Sequence, residues 1–458
     1  MRRTLPLPIA LMLFLLTLQP SLAQNNQGPG GGGMPGGILV NAEGLISAAS
    51  PAEIISPAAL RKLQRTPASE AEEAPLPDTQ RLISLRQLDL RLKSTLADGS
   101  SPGPYLRYPG GLTRIDAVIL SAEQDDVLLA GPAENFVRLP SGRMVGSASG
   151  RPLLLLEDLL TAFRSADVLR KAGCSIDPVP AQLQLAQQWL QQNSTAATLQ
   201  VQTARLRHMV QLMGNWEITT FGVPEDSRMC AAMIEADYRM KRLAIGLDNP
   251  GVRQLRSSLS LARPGDNMMR RWWFAPAADV LQRNPEGSYW VITGPRLTLF
   301  AQEEVVGAGG QLLDSPTAKG SADGFAASFN RCFDELASRI PAFADLQNTV
   351  DILLTAAIVR ELQSSGQLQW TPVALTDNAL LPATTYRTPT TTQPMLTTRS
   401  GPGGSLIGCF SGGVVLSPAM MVRQASTLAD APDEMLLQLT AEPTSEWYRD
   451  LQDRSGNP

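Results

Sequence analysis

Pro224 to Leu247 reads PEDSRMCAAMIEADYRMKRLAIGL, and its spacing decides how the surrounding chain must fold. Met229, Met233, Ala236, Met240, Leu243, Ala244 and Leu247 fall on one helical stripe, while Ile234, Tyr238 and Ile245 form a second. Pro224 suits a first turn, Glu225 and Asp226 favour the positive end of a helix dipole, and Gly246 stands near the finish. A helix that is apolar on two sides needs cover on both, so this element predicts a core helix flanked by other layers. Its remaining arm, Asp237, Arg239, Lys241 and Arg242, is expected at the solvated edge or in an interaction face.

Strand signals surround it. Trp216 to Val223 precedes the helix, and Arg271-Trp272-Trp273-Phe274-Ala275 follows it as an interior strand with aromatic side chains on both faces. Tyr289 to Thr293 and Leu297 to Gln302 complete a predicted three-stranded meander, with turns at Asn284-Pro285-Glu286-Gly287 and Thr293-Gly294-Pro295. Ala318 to Ser338 and Pro341 to Ser364 predict a helical hairpin.

Upstream, Ile115 to Leu120 and Val127 to Ala130 form one predicted hairpin, and Phe136 to Leu139 with Arg143 to Gly146 a second. Arg81 to Leu96, Leu153 to Phe163, Val179 to Gln192 and Thr198 to Met213 read as helices, and Cys174 to Pro178 as a strand ending in a turn. Ile38 to Val40 and Val414 to Leu416 each follow two glycines, which suggests edge strands that pair or share one small sheet.

The expected class is therefore α+β, with mixed or antiparallel sheets and packed helices. The expected organisation is a signal peptide over 1–23, a Gly-rich leader over 24–37, and a strand with an acidic Pro-rich linker over 38–80. An α+β domain over 81–255 follows, then a meander and helical hairpin over 256–370. A Thr/Pro-rich linker over 371–408 leads to a C-terminal strand and tail over 409–458.

The chain's 458 residues, 43% hydrophobic and 18% charged, suffice for substantial cores and exclude global disorder. Arg2 and Arg3, the apolar run Ile9 to Leu18, and Ser21-Leu22-Ala23 match a cleavable export signal, with cleavage expected after Ala23. The expected location is periplasmic or secreted, with no integral membrane segment after signal removal. The formal charge is −4, and loss of the two arginines leaves −6. An acidic surface offers no general field for phosphates, so nucleic acid is not an expected partner.

Four cysteines, Cys174, Cys230, Cys332 and Cys409, allow two disulfides in an oxidising space, in any of three connectivities. Cys332 with Cys409 is the favoured bridge because it closes a long loop; buried free thiols are the competing expectation. No CxxC pair exists, and the single histidine, His208, excludes sites that need two imidazoles.

Several phrases coincide with one family: GGILVNAEGLI at Gly36 to Ile46, AGPA at Ala130 to Ala133, and GRPLLLLEDLL at Gly150 to Leu160. CSIDP at Cys174 to Pro178, GVPEDSRMCAAMIEADYRMKRLAIGL at Gly222 to Leu247, and RWWF at Arg271 to Phe274 join them. With Leu346 to Ile358, these make most of the mature chain resemble the secreted family known as domain of unknown function 1598, typical of planctomycete bacteria. ADYRMKR at Ala236 to Arg242 and RWWF are the most specific pieces. The resemblance implies export and a shared α+β fold, and carries no activity, cofactor or catalytic residue.

Local chemistry patterns fail one by one. His208 shares a helix face with Arg207 and Gln211, which predicts solvent exposure, and no GxSxG serine elbow accompanies it. No lysine has Ser or Thr three residues before it. Glycine runs at Gly30 to Gly33 and Gly307 to Gly310 lack phosphate-loop spacing, and no cofactor is expected. The adjacent acids Asp125-Asp126, Glu157-Asp158 and Glu303-Glu304 are expected on solvated turns or helix surfaces.

The retained ligand-binding candidates are Arg271, Trp272, Trp273 and Trp290, whose indoles beside guanidinium groups could hold a sugar ring or anionic peptide, with Arg270 adjacent; filling a sheet core is the competing use. With no gathered cluster of ionisable groups in view, the expectation is a non-enzymatic, envelope-associated protein that binds a protein or polysaccharide partner. The alternative is a carboxylate-based hydrolase acting on a cell-envelope polymer, recognisable by two acids in one cleft.

Overall fold

The computed structural model describes residues 38–40, 45–48, 79–140, 142–166, 170–193, 195, 198–262, 269–306, 312–314, 320–399, 405–428 and 447–451. The proposed signal peptide, the Gly-rich leader and most of the acidic linker lie outside these residues.

The chain's signature helix runs from Arg228 to Ala244. It begins four residues after Pro224 because Ser227 takes the capping position, its hydroxyl accepting from the Cys230 amide at 3.2 Å and donating to the Pro224 carbonyl at 2.7 Å. It stops where Gly246 adopts φ 74°, a conformation that lets the Leu247 amide fold back onto the Arg242 carbonyl at 2.8 Å. Every residue of the helix except Arg242 is buried. The expected solvated arm is thereby corrected: Asp237 and Lys241 form an enclosed ion pair at 2.8 Å, and Arg239 is buried beside Asp248 at 3.7 Å.

In chain order the strands are β1 (Ile38–Val40), β2 (Leu45–Ala48), β3 (Thr79–Ser84), β4 (Ala117–Ser121), β5 (Asp126–Ala133), β6 (Phe136–Arg138), β7 (Met144–Gly146), β8 (Ala172–Asp177), β9 (Trp216–Phe221) and β10 (Met269–Pro276). They continue with β11 (Leu281–Arg283), β12 (Tyr289–Ile292), β13 (Leu297–Val306), β14 (Leu312–Asp314), β15 (Thr391–Thr392), β16 (Met395–Arg399), β17 (Ser405–Leu416), β18 (Ser426–Thr427) and β19 (Tyr448–Leu451).

Two open sheets take up most of them, giving the α+β class. The larger has the order β1-β2-β15-β9-β8-β17-β10-β13-β14, with β16 also on β17; the smaller has the order β18-β11-β12-β4-β5-β3-β19. Most neighbours are antiparallel, but β10 runs parallel to β17, with Trp272 opposite Gly412. Gly412 has φ 148°, and a Cβ there would fall 1.9 Å from the Trp272 carbonyl oxygen and 3.2 Å from Lys241 Cε. Only glycine lets the strand pass between that backbone and the buried lysine stem.

A continuous core joins Val118, Leu129 and Ile292 of the smaller sheet to Phe274 and Val414 of the larger. The helix Pro341–Ser364 belongs to it and is long and apolar enough to cross a membrane, yet its apolar window is wholly enclosed by protein. Phe274, Phe329, Phe333 and Phe343 pack there with ring centroids 5.3–6.3 Å apart.

Several expectations change at this level. The meander does not form: β10 pairs directly with β13, while β12 crosses into the smaller sheet between β11 and β4. Both sheets draw strands from the blocks expected at 81–255 and 256–370, and the described residues belong to one compact unit, so those blocks are not separate bodies. The stretch 371–408 contributes β15, β16 and the start of β17 to the larger sheet. β1 and β17 share that sheet but stand apart in it, separated by β2, β15, β9 and β8. Thr79 to Ser84 is a strand rather than the start of a helix, which begins at Leu85 behind the Ser84 cap. The expected hairpin arm 318–338 is two helices, Ser321–Arg331 and Phe333–Arg339, divided at Cys332.

Cys174, Cys230 and Cys332 are free, buried thiols. The favoured Cys332 bridge is therefore corrected: Cys332 sits in the core at the junction of two helices, packed as a small apolar group. The side chain of Cys409 lies outside the described residues.

Candidate functional site

The structure separates the residues singled out from sequence. Alternation along β10 turns Trp272 and Phe274 into the core and places Arg271 and Trp273 on the opposite face. Trp272 donates its indole N–H to the Ala322 carbonyl at 3.2 Å. Trp290 is enclosed in the other sheet, donating to the Gly287 carbonyl at 2.9 Å with the Arg283 guanidinium 5.2 Å from its ring. Arg271 and Trp273 do meet, at 5.2 Å, and Trp273 also stacks on Phe300 across the strand pair at 5.7 Å and 19°. That geometry is a cross-strand aromatic pair capped by a guanidinium. Arg270 is buried and donates to the Ser258 hydroxyl. His208 is half-buried rather than solvent-facing, with its ring 4.7 Å from that of Trp189.

The acid pairs depart further from expectation. Asp126 is buried and accepts from the Ser84 hydroxyl and, at 2.9 Å, the Arg86 amide. Asp158, expected on a solvated surface, is 2% exposed and belongs to a buried ion network. The side chains of Glu303 and Glu304 lie outside the described residues, as does the run Gly307 to Gly310.

The network starts at the first residue of the signature helix. Arg228 donates from one terminal nitrogen to Asp158 at 2.5 Å and from the other to Asp345 at 2.7 Å, with its Nε 3.8 Å from Glu157. Asp345 also pairs with Arg143, whose other terminal nitrogen reaches Glu235 at 3.0 Å. The expectation that ionisable groups remain scattered is thus overturned: four carboxylates and two guanidiniums meet from the turn before β7, the helix Leu156–Ser165 and two core helices. Burial pushes the Asp158 carboxyl up to about 6; Arg228 draws it down and Glu157 pushes it further up. One Asp158 oxygen has no hydrogen-bond partner among the described residues.

A cavity of about 330 Å³ opens beside this network. Glu157, Arg228, Leu156, Leu160, Tyr108 and Tyr386 are among its lining residues, whereas Asp158 and Asp345 stand behind it. Residues 381–386 form one wall as an extended strap. Arg164 clamps the strap's start, donating to Asn378 Oδ1 at 3.0 Å and to the Leu381 carbonyl at 2.7 Å. Farther along, the Tyr386 hydroxyl donates to Glu157, its amide reaches the Asp226 carbonyl at 2.6 Å, and Thr388 donates to the Glu225 carbonyl at 2.6 Å. Burial and the neighbouring Glu157 carboxylate push the Tyr386 phenol above its ordinary range, so it stays a donor. The result is a largely apolar hollow with fixed hydrogen-bonding groups, of a size that suits a small ligand or one unit of a polymer. Among the described residues no group of three His, Cys, Asp or Glu side chains gathers as metal ligands do.

Fold and site together define an α+β protein with a strapped pocket set over a buried ion network. Residues 174–257 match the family model described as protein of unknown function (DUF1598). That stretch runs from β8 through the signature helix, so it supplies Arg228 and Glu235 while Asp158, Asp345 and the strap come from elsewhere. The match supports the family resemblance carried by Cys174 to Pro178 and Ala236 to Arg242. No curated protein and no solved structure matches the chain.

Proposed function

We propose that this is an exported, non-enzymatic binding protein whose strapped pocket receives one unit of an envelope polysaccharide. The observation that carries this reading is the occupancy of the acids around the hollow. Glu157, which lines it, accepts from the Tyr386 hydroxyl, and Asp158 and Asp345, which stand behind it, share the Arg228 guanidinium. A hydrolase of the two-carboxylate kind needs one acid and one base both open to the bond being cleaved. Here the carboxylates fix Arg228, Tyr386 and the strap, so the pocket presents positioned donors and apolar walls, as a binding site does.

The experiment is titration of the purified protein with a panel of oligosaccharides, in parallel with assay for released fragments. The expected result is binding that is lost when the half-buried lining residue is enlarged, Thr161→Trp, with no product formed. Turnover abolished by Glu157→Gln would replace this reading with the hydrolase. Export is checked separately: the protein recovered outside the cytoplasm should begin at Gln24.

A further inference from the structure

Next to the pocket, and sharing Arg164 and Pro224 with it, lies an open basin of about 1100 Å³. Its lining holds Arg164, Arg170, Lys171 and Arg423 and, among the described residues, no acidic side chain. Asp167, close by in sequence, lies outside the described residues. The basin stands out in a chain with a formal charge of −4, and also in how its cations are used. Arg86, Arg114, Arg143, Arg228, Arg242, Arg296 and Arg339 are each held by a carboxylate within 4 Å. Arg170, Lys171 and Arg423 are exposed and have no carboxylate partner among the described residues; Arg423 makes one bond, to the Ala419 carbonyl at 3.2 Å. Arg164 spends its terminal nitrogens on the strap and carries its charge at the rim between the two hollows.

Four like charges converging on one concavity repel one another, and the cheapest relief is an anion that bridges them. The remaining lining is Ser165, Gly222, Val223, Pro224, Ser417 and Met420, with the exposed Met420 its one large apolar side chain. A single exposed methionine in an open basin is no cluster of apolar anchors, and the described lining has no aromatic ring of the kind that protein and peptide partners use. Charge without such anchors suits a flexible polyanion whose acidic groups recur along the chain.

Building on the pocket reading above, we propose that the basin is an anion-binding subsite and that the ligand is an anionic polysaccharide. One terminal ring enters the strapped pocket, and the acidic units that follow cross Arg164 and lie over Arg170, Lys171 and Arg423.

The test is calorimetric titration of the full chain with hexagalacturonate, neutral maltohexaose and hexaglutamate, each at low and high salt. Three proteins are compared: wild type, the basin variant Arg170→Glu/Lys171→Glu/Arg423→Glu, and the pocket variant Thr161→Trp. The altered basin residues are exposed, and thermal melts confirm folding. The expected result is salt-sensitive binding of hexagalacturonate that the basin variant weakens at least about tenfold, with a salt slope shallower by up to about three ions, since each neutralised cation contributes about one. Maltohexaose should bind more weakly than hexagalacturonate, and equally to wild type and basin variant. The proposal is overturned if the basin variant binds hexagalacturonate as wild type does, or if hexaglutamate binds more tightly than the saccharide. Loss of binding in Thr161→Trp but not in the basin variant sinks the subsite and leaves the pocket; sensitivity of the basin variant alone does the reverse.

Discussion

Replacing Asp158 by asparagine offers a direct measure of what the buried network costs the fold. Asp158 shares one guanidinium with Asp345 and Glu157, so it is enclosed with less than one full positive charge to itself. Its folded-state pKa of about 6 lies above the ordinary 3.8. A carboxyl raised in this way stabilises the fold fully below about pH 4, where both states are protonated, and that contribution is lost as pH rises through about 6. A shift of about two units corresponds to about 3 kcal/mol of penalty once the group is ionised in both states. Asparagine mimics the protonated acid at every pH and keeps its shape. Urea unfolding of wild type and D158N from about pH 4.5, where about 1 kcal/mol of the contribution has already gone, to about pH 7.5 should therefore show the wild type losing about 2 kcal/mol relative to the variant as pH rises. Asp89, Asp126, Asp237 and Asp351, also raised by burial, are common to both proteins and drop out of the difference. Parallel stability profiles, or a wild type that gains on the variant with rising pH, would refute the account of Asp158 as an under-compensated buried acid.

Removing the hub itself, Arg228→Met, strands Asp158 and Asp345 without their shared cation and should destabilise by about 3–5 kcal/mol, read from the urea midpoint. A loss below about 1 kcal/mol would show that the network is solvated. Gly412→Ala places a methyl against the Trp272 carbonyl and should prevent recovery of folded protein, whereas Gly99→Ala, with open space around it and φ 71°, should cost only about 1 kcal/mol. Alkylation should leave Cys174, Cys230 and Cys332 unmodified in the native protein and label all three after denaturation without reductant, because burial pushes Cys230, for one, up to about 12. Labelling of Cys332 that requires reductant would restore the bridge expected from sequence.

Local pattern carried the elements whose information is local. The two hairpins β4–β5 and β6–β7 follow from short apolar runs around Glu123–Asp126 and Pro140–Gly142, and the signature helix from its two stripes. Partner choice was not local. Nothing in Tyr289–Ile292 says that it will pair with β4 rather than β10, since a short buried strand offers the same apolar edge to either. The solvated arm was misjudged because charges on a helix normally face water: its ion pairs are local, Asp237 with Lys241 and Arg239 with Asp248, but β17, which covers the Lys241 stem at Gly412, comes from far along the chain. The ion network is equally non-local, since Asp158 and Asp345 lie 70 and 117 residues from Arg228, and Arg143 lies 92 from Glu235. One signal was available. Glu157-Asp158 sits inside Leu153 to Leu160 with leucines on both sides, a setting that encloses an acid if the helix is covered all round. The pocket had no such trace, because Glu157 and Tyr386 are 229 residues apart and meet only through the strap.

The placement of β17 has a consequence for how the molecule comes into being. This strand lies between β8 and β10 in the larger sheet, yet its partners are made some 130 to 240 residues before it. Until Leu416 has left the ribosome, the inner edges of β8 and β10 have no strand to join them. Closing so long a loop is slow, and unpaired strand edges adhere to one another in the meantime. A nascent chain of this architecture leaves those edges bare until its last tenth arrives, and truncation there should remove the middle of the sheet rather than trim its rim.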